Sequence, residues 1–101
     1  MFPMQTFLPR FYGILAALDE LADGAAAASE DLEDLNAELE DALMLIDALK
    51  PEDEREELLE ALEDVRALAG NYQALAKDEP RVAVLARQLA MAADMAISNS
   101  G

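Results

Sequence analysis

Apolar residues recur along the first half of the chain at steps that alternate between four and three. They are Phe7, Phe11, Ile14, Leu18, Leu21, Ala25, Ala28, Leu32, Leu35, Leu39, Ala42, Ile46 and Leu49. A spacing that averages about 3.5 residues keeps one side of a helix facing a partner along its whole length. The pattern therefore predicts a long helix over about residues 9–49, after an extended lead-in at residues 1–8.

Gly24 allows two interpretations of this long helix. In one, Gly24 is the C′ residue of a first helix and Ser29 is the N-cap of a second, with Glu30 and Asp31 in its first turn. In the other, the helix continues through Gly24, with a kink there. We favour the continuous helix, because the apolar spacing passes through residues 24–28 in phase and a loop would usually reset it.

Two prolines divide the second half of the chain. Pro51, preceded by Lys50, suits the first turn of a new helix, which we predict over about residues 52–77. Its apolar positions are Leu58, Leu62, Val65, Ala69, Tyr72 and Ala76. Pro80 separates it from a third helix over about residues 79–98, whose apolar positions are Val82, Leu85, Leu89, Ala92 and Ala96, with a second stripe at Val84, Met91 and Met95.

The predicted helices carry more apolar surface than one chain covers. The long helix needs a partner, residues 43–46 are four consecutive apolar residues, and the last helix has a second apolar stripe. We therefore predict a single all-α domain over residues 1–101, a long antiparallel helical hairpin with a third C-terminal helix. This coiled-coil-like bundle would be completed by homodimerisation.

The composition argues against an enzyme. The chain has no histidine and no cysteine, so it lacks the usual general base near neutral pH, a thiol nucleophile and thiolate metal ligands. Acidic residues one helical turn apart match neither the Glu-x-x-His pattern of di-iron bundles nor an EF-hand loop. We expect no catalytic residue, no cofactor and no metal site.

Charge is distributed unevenly along the chain. The formal net charge is −15, and residues 30–64 alone carry 16 acidic and two basic residues. Folded as a hairpin roughly 26 Å tall, this segment carries about one net charge per 1.9 Å, close to the value of about one per 1.7 Å in duplex DNA. Direct binding to nucleic acid is therefore disfavoured.

One candidate function is a stoichiometric inhibitor that mimics nucleic acid and occupies a nucleic-acid-binding protein, through Glu52, Asp53, Glu54, Glu56, Glu57 and Glu60. Phage anti-defence proteins of this kind are often small, acidic and helical, and the chain resembles them as a class in these features. The alternative is that the acidic residues only solvate the surface.

The function we favour is a non-enzymatic protein-binding module, such as an adaptor, assembly factor or small chaperone. It would present an apolar helix face with an acidic rim to a protein partner, through Phe7, Phe11, Tyr12, Met91 and Met95. For the three aromatic residues, the alternative is that they cap one end of the core. No apolar run reaches the roughly 20 residues of a membrane span, and the N-terminal segment lacks a basic n-region, so we expect a cytoplasmic protein.

Overall fold

Four helices account for most of the residues that the structure, a computed structural model, describes, which are 7–24, 29–49 and 53–100. They are α1 (Leu8–Gly24), α2 (Ser29–Ala48), α3 (Arg55–Leu75) and α4 (Arg81–Ser100). This part of the chain contains no strand. The protein is an all-α helical bundle, elongated to 43 Å along its longest axis and 18–19 Å across.

The helices form a closed square in cross-section. Each helix packs against its neighbours in the chain, and α1 packs against α4, so that α1 lies diagonally opposite α3 and α2 lies diagonally opposite α4. Polar contacts show that α3 and α4 run antiparallel, because Arg66 meets Asp94 while the later Gln73 meets the earlier Ala83. The contact between α1 and α4 is the smallest of the four.

Of the two interpretations of residues 9–49, the favoured continuous helix is wrong, and the structure has the alternative, two helices with the first ending at Gly24 and the second beginning at Ser29. The Nδ2 atom of Asn36 donates a hydrogen bond to Oδ1 of Asp19 at 3.0 Å. In a continuous helix these two residues would lie roughly 25 Å apart, at 1.5 Å per residue. α1 and α2 are therefore separate helices that pack side by side, and the bundle has four helices where three were predicted. Residues 25–28, which include two positions of the apolar pattern, lie outside the described residues.

The apolar pattern itself is correct even though the connectivity is not. Every described member of it, on α1 and on α2, is buried or half-buried. The two halves of the pattern cover each other within one chain, which removes the need for a second copy to cover a long helix. Gly24 is the last residue of α1, and no described glycine has a positive φ, so it does not form a left-handed cap.

The last two helices lie close to their predicted bounds. α3 begins at Arg55, three residues later than predicted, and Pro80 directly precedes α4. At the start of α4, the guanidinium of Arg81 donates to both carboxylate oxygens of Glu79, at 2.8 and 3.0 Å. These hydrogen bonds hold the pKa of the Glu79 carboxyl below its ordinary value. The Arg81 side chain in this pair is well exposed, so the pair adds little to stability.

The core consists of aliphatic side chains from all four helices together with three aromatic ones, Phe7, Phe11 and Tyr72, of which the last two are completely buried. Residues 43–46 carry apolar surface that the chain covers on one side only. Leu43 and Ile46 are buried, whereas Met44 and Leu45 are 58% and 51% exposed. α2 has only one buried face, because its outward face lies against no other helix in the described part of the chain.

Candidate binding surface

An apolar strip runs along the outward face of α4. Val84, Met91 and Met95 are 59%, 59% and 50% exposed. They are spaced by seven and four residues, which places them on one face over three helical turns, about 16 Å. Single exposed apolar residues are normal on protein surfaces, but several on one face can mark a site of interaction. The turn between Val84 and Met91 carries the exposed polar residues Arg87 and Gln88. We call these three residues the α4 strip.

The α4 strip ends at a shallow groove where the start of α1 meets the end of α4. The groove is lined by Phe7, Met95, Asp94, Ser98 and Asn99. It therefore brings together two of the predicted partner-binding residues, Phe7 and Met95, from opposite ends of the sequence. The Phe7 side chain is only 6% exposed and forms part of the groove wall.

The other two predicted aromatic residues lie elsewhere. Phe11 is completely buried in the core, so it presents no surface to a partner in this fold. Tyr12 is 37% exposed but lies seven residues before Asp19, on the same side of α1. Because Asp19 contacts α2, Tyr12 faces α2 and not the α4 strip. Of the five predicted residues, only Met91 and Met95 lie on the strip, and Val84 completes it.

The acidic residues lie mainly on the opposite side of the bundle. α2 carries eight acidic and no basic residues, and all eight are exposed. The acidic side continues onto α3. Glu57 lies nine residues, or two and a half turns, before Arg66, so it projects from the opposite side of that helix. Since Arg66 contacts α4, Glu57 lies toward α2.

The basic residues lie on the side of α4. Arg81 and Arg87 are on α4 itself, and Arg66 pairs with Asp94 of α4 at 2.9 Å. Arg55 lies eleven residues before Arg66 and shares its side of α3. Arg10 lies nine residues before Asp19, so it projects from the side of α1 opposite α2. With Lys77, in the connection to α4, these are all six basic residues of the described part. The bundle is acidic around α2 and nearly balanced in charge around α4.

The acidic residues predicted for the nucleic-acid-mimic interpretation lie at the start of α3. Asp53, Glu56, Glu57 and Glu60 are exposed. Glu54 is half-buried and is the N-cap residue of α3, where its carbonyl oxygen accepts from the Leu58 amide at 2.9 Å. Glu52 lies outside the described residues.

A buried chain of hydrogen bonds links α1, α2 and α3. The Tyr72 hydroxyl donates to Oδ1 of Asn36 at 2.7 Å, and the amide of Asn36 donates in turn to Asp19. Asn36 is the one buried polar residue of the described core, and Tyr72 has no exposed surface. Burial, reinforced by the negative charges of Asp19 and Glu38, raises the pKa of Tyr72 well above its ordinary value. Neither buried group opens onto the groove, so we assign this network to structure and not to binding.

In the described part of the chain, no cluster of three acidic side chains is arranged to hold a metal ion. No helix there has the length and the apolar character to cross a membrane. Comparisons with protein-family models, with curated proteins and with solved structures give no match.

Proposed function

We propose that this protein is a non-enzymatic protein-binding module, such as an adaptor, assembly factor or small chaperone, and that it binds through the α4 strip. The observation that carries the proposal is the exposure of Val84, Met91 and Met95 on one face of the bundle. Methionine suits such a surface because its flexible, polarisable side chain adapts to different partners. The nearest charged residues on α4, Arg87 and Asp94, form a mixed rim, while the acidic excess lies on the far side of the bundle.

The proposal is tested by affinity capture from a lysate of the native host at high ionic strength. The test variant is Met91→Glu, and the matched control is Met44→Glu, since Met44 is equally exposed but lies on α2. We expect a protein partner to be retained by the wild type and by the control, and to be lost from Met91→Glu. A partner lost equally from both variants, or from neither, would contradict binding through the α4 strip.

A second candidate function is a stoichiometric inhibitor that occupies a nucleic-acid-binding protein. It is supported by the outward face of α2, with eight acidic and no basic residues, and by its continuation onto Glu57 and Glu60 of α3. In this case a basic partner would elute as the salt concentration rises, because attraction between exposed charges is screened. The double variant Glu57→Lys/Glu60→Lys would lose that partner, whereas Met91→Glu would keep it.

A further inference from the structure

We propose that the occupant of the α4 strip is a second copy of this chain, bound by antiparallel packing of α4 on α4. The two-fold axis passes between the two α4 helices, at a level midway between Ala90 and Met91. This inference rests on the proposed role of the α4 strip as a binding surface and names its partner. It is carried by the charges beside the strip and by the distribution of charge over the whole bundle.

The charges beside the strip are complementary to themselves. Arg87 and Asp94 lie seven residues apart, so they project from the same side of α4, next to Met91. About a two-fold axis between residues 90 and 91, each residue faces the one equally far beyond the axis in the second copy. Arg87 of each copy therefore faces Asp94 of the other, and the contact contains this pair twice. A parallel arrangement would instead bring Arg87 against Arg87.

Both members of this pair are available. Arg87 is exposed and has no ion-pair partner within the described part of the chain. Asp94 accepts from Arg66 through Oδ1 alone, and its side chain remains 59% exposed. A carboxylate has about four acceptor positions on its two oxygens, so Asp94 can accept from Arg66 and from a second arginine together.

The same register brings the apolar residues together. Met91 lies half a residue from the axis, so the two Met91 side chains meet at the centre of the contact. Met95, one turn away, extends the apolar contact toward the groove at Phe7. The contact is limited to one helix face about 30 Å long. Its buried area is therefore near the lower end of the range for specific interfaces. The dimer is therefore expected to form in a concentration-dependent way.

The overall charge favours α4 over any other face for this contact. A chain with net charge −15 repels a copy of itself. α2, the most acidic helix, lies diagonally across the bundle from α4. With neighbouring helices 8–10 Å apart, the two α2 helices of the dimer would lie roughly 35 Å from each other. That is several times the Debye length of about 8 Å at physiological salt, so their repulsion is largely screened.

The first test measures the oligomeric state by sedimentation equilibrium over a wide range of protein concentration. We expect a monomer–dimer equilibrium in the wild type. Arg87→Asp and Asp94→Arg should each weaken the dimer about tenfold or more, since each places like charges in contact twice. The double variant Arg87→Asp/Asp94→Arg should restore it, with circular dichroism confirming that all variants are folded. If the double variant is as weak as the single ones, the proposed register is wrong.

The second test uses the absence of cysteine from the chain. In the proposed dimer the two copies of residue 91 are offset by about 1.5 Å along the helix axis, and the two copies of residue 84 are offset by about 20 Å along it. Met91→Cys should therefore form a disulfide-linked dimer on mild oxidation, whereas Val84→Cys should not. Met44→Cys, equally exposed on α2, is the matched control.

Three results would contradict the proposed dimer. Cross-linking through Val84→Cys but not Met91→Cys would refute the antiparallel arrangement, and cross-linking through Met44→Cys would move the contact to α2. A wild type that stays monomeric at every concentration would overturn the dimer. It would leave the proposed function intact, because capture of a different protein still distinguishes Met91→Glu from Met44→Glu.

Discussion

The buried pair of Tyr72 and Asn36 makes a quantitative prediction about stability. Tyr72→Phe removes only the hydroxyl, which leaves Oδ1 of Asn36 buried without its donor at 2.7 Å. An unsatisfied buried polar group costs about 1–3 kcal/mol. Asn36→Leu leaves the Tyr72 hydroxyl without its acceptor and should cost a similar amount. Asp19 loses its partner in that variant too, but it is exposed and can be rehydrated.

The double variant Tyr72→Phe/Asn36→Leu should cost much less than the sum of the two single variants. It replaces both buried partners with apolar groups of similar size, and such a replacement is often nearly neutral. The assay is urea denaturation followed by circular dichroism, with thermal melting as a second measure. Each kcal/mol corresponds to about 4–8 °C in a domain of this size. Strictly additive costs would refute the reasoning, because they would mean that the two groups do not satisfy each other.

Three further predictions concern the same bundle. The folded state holds the pKa of Tyr72 above its ordinary value, so above about pH 10 the folded chain keeps a phenol proton that the unfolded chain loses. The stabilisation that the Tyr72 hydroxyl provides is therefore complete below about pH 10 and declines at higher pH. In urea titrations above that pH, the stability difference between the wild type and Tyr72→Phe should shrink, and a constant difference would contradict this. Gly13→Ala and Gly70→Ala should each raise the free energy of unfolding by about 0.5–1 kcal/mol, since an added Cβ meets no atom within 4 Å, and an unchanged urea midpoint would contradict this. Leu39→Ala should cost about 2–5 kcal/mol because Leu39 has no exposed surface, whereas the exposed control Met44→Ala should stay within about 0.5 kcal/mol of the wild type; equal losses in the two variants would show that α2 is turned differently.

The buried face of each helix could be read from the sequence. A spacing of 3.5–3.6 residues identifies which side of a helix is apolar, and the residues chosen on that basis, such as Leu39 and Leu62, are buried. The separation of α1 from α2 could not be read in the same way. Two antiparallel helices that share one core both direct their apolar side toward it. A short connection can preserve the spacing by chance, so the phase through residues 24–28 did not distinguish a turn from a continuous helix.

Exposure of an apolar residue was harder to predict than burial. Met44 and Leu45 adjoin buried positions in the sequence, and their chemistry does not show whether a second helix covers them. The same is true of Met91, Met95 and Phe11, which were all predicted to be partner-binding residues; the two methionines are exposed, whereas Phe11 lies in the core. Only the number of helices around each face decides these cases, and that number depends on whether residues 9–49 form one helix or two, which the apolar spacing did not decide.

The pairing of Arg87 with Asp94 between two copies could not be predicted from the local sequence, in which they are two ordinary charges seven residues apart. It follows from the arrangement of the helices, because α4 lies diagonally opposite the acidic α2 and its outward face also carries Met91. The diagonal arrangement also separates the two candidate functions in space. A dimer formed through α4 would leave both α2 faces free on opposite sides, so it would present two acidic surfaces to two basic partners at once. Inhibition of a nucleic-acid-binding protein and self-association are therefore compatible in this bundle, whereas self-association and capture of another protein by the α4 strip compete. Raising the protein concentration should weaken capture through the strip and leave binding through α2 unchanged.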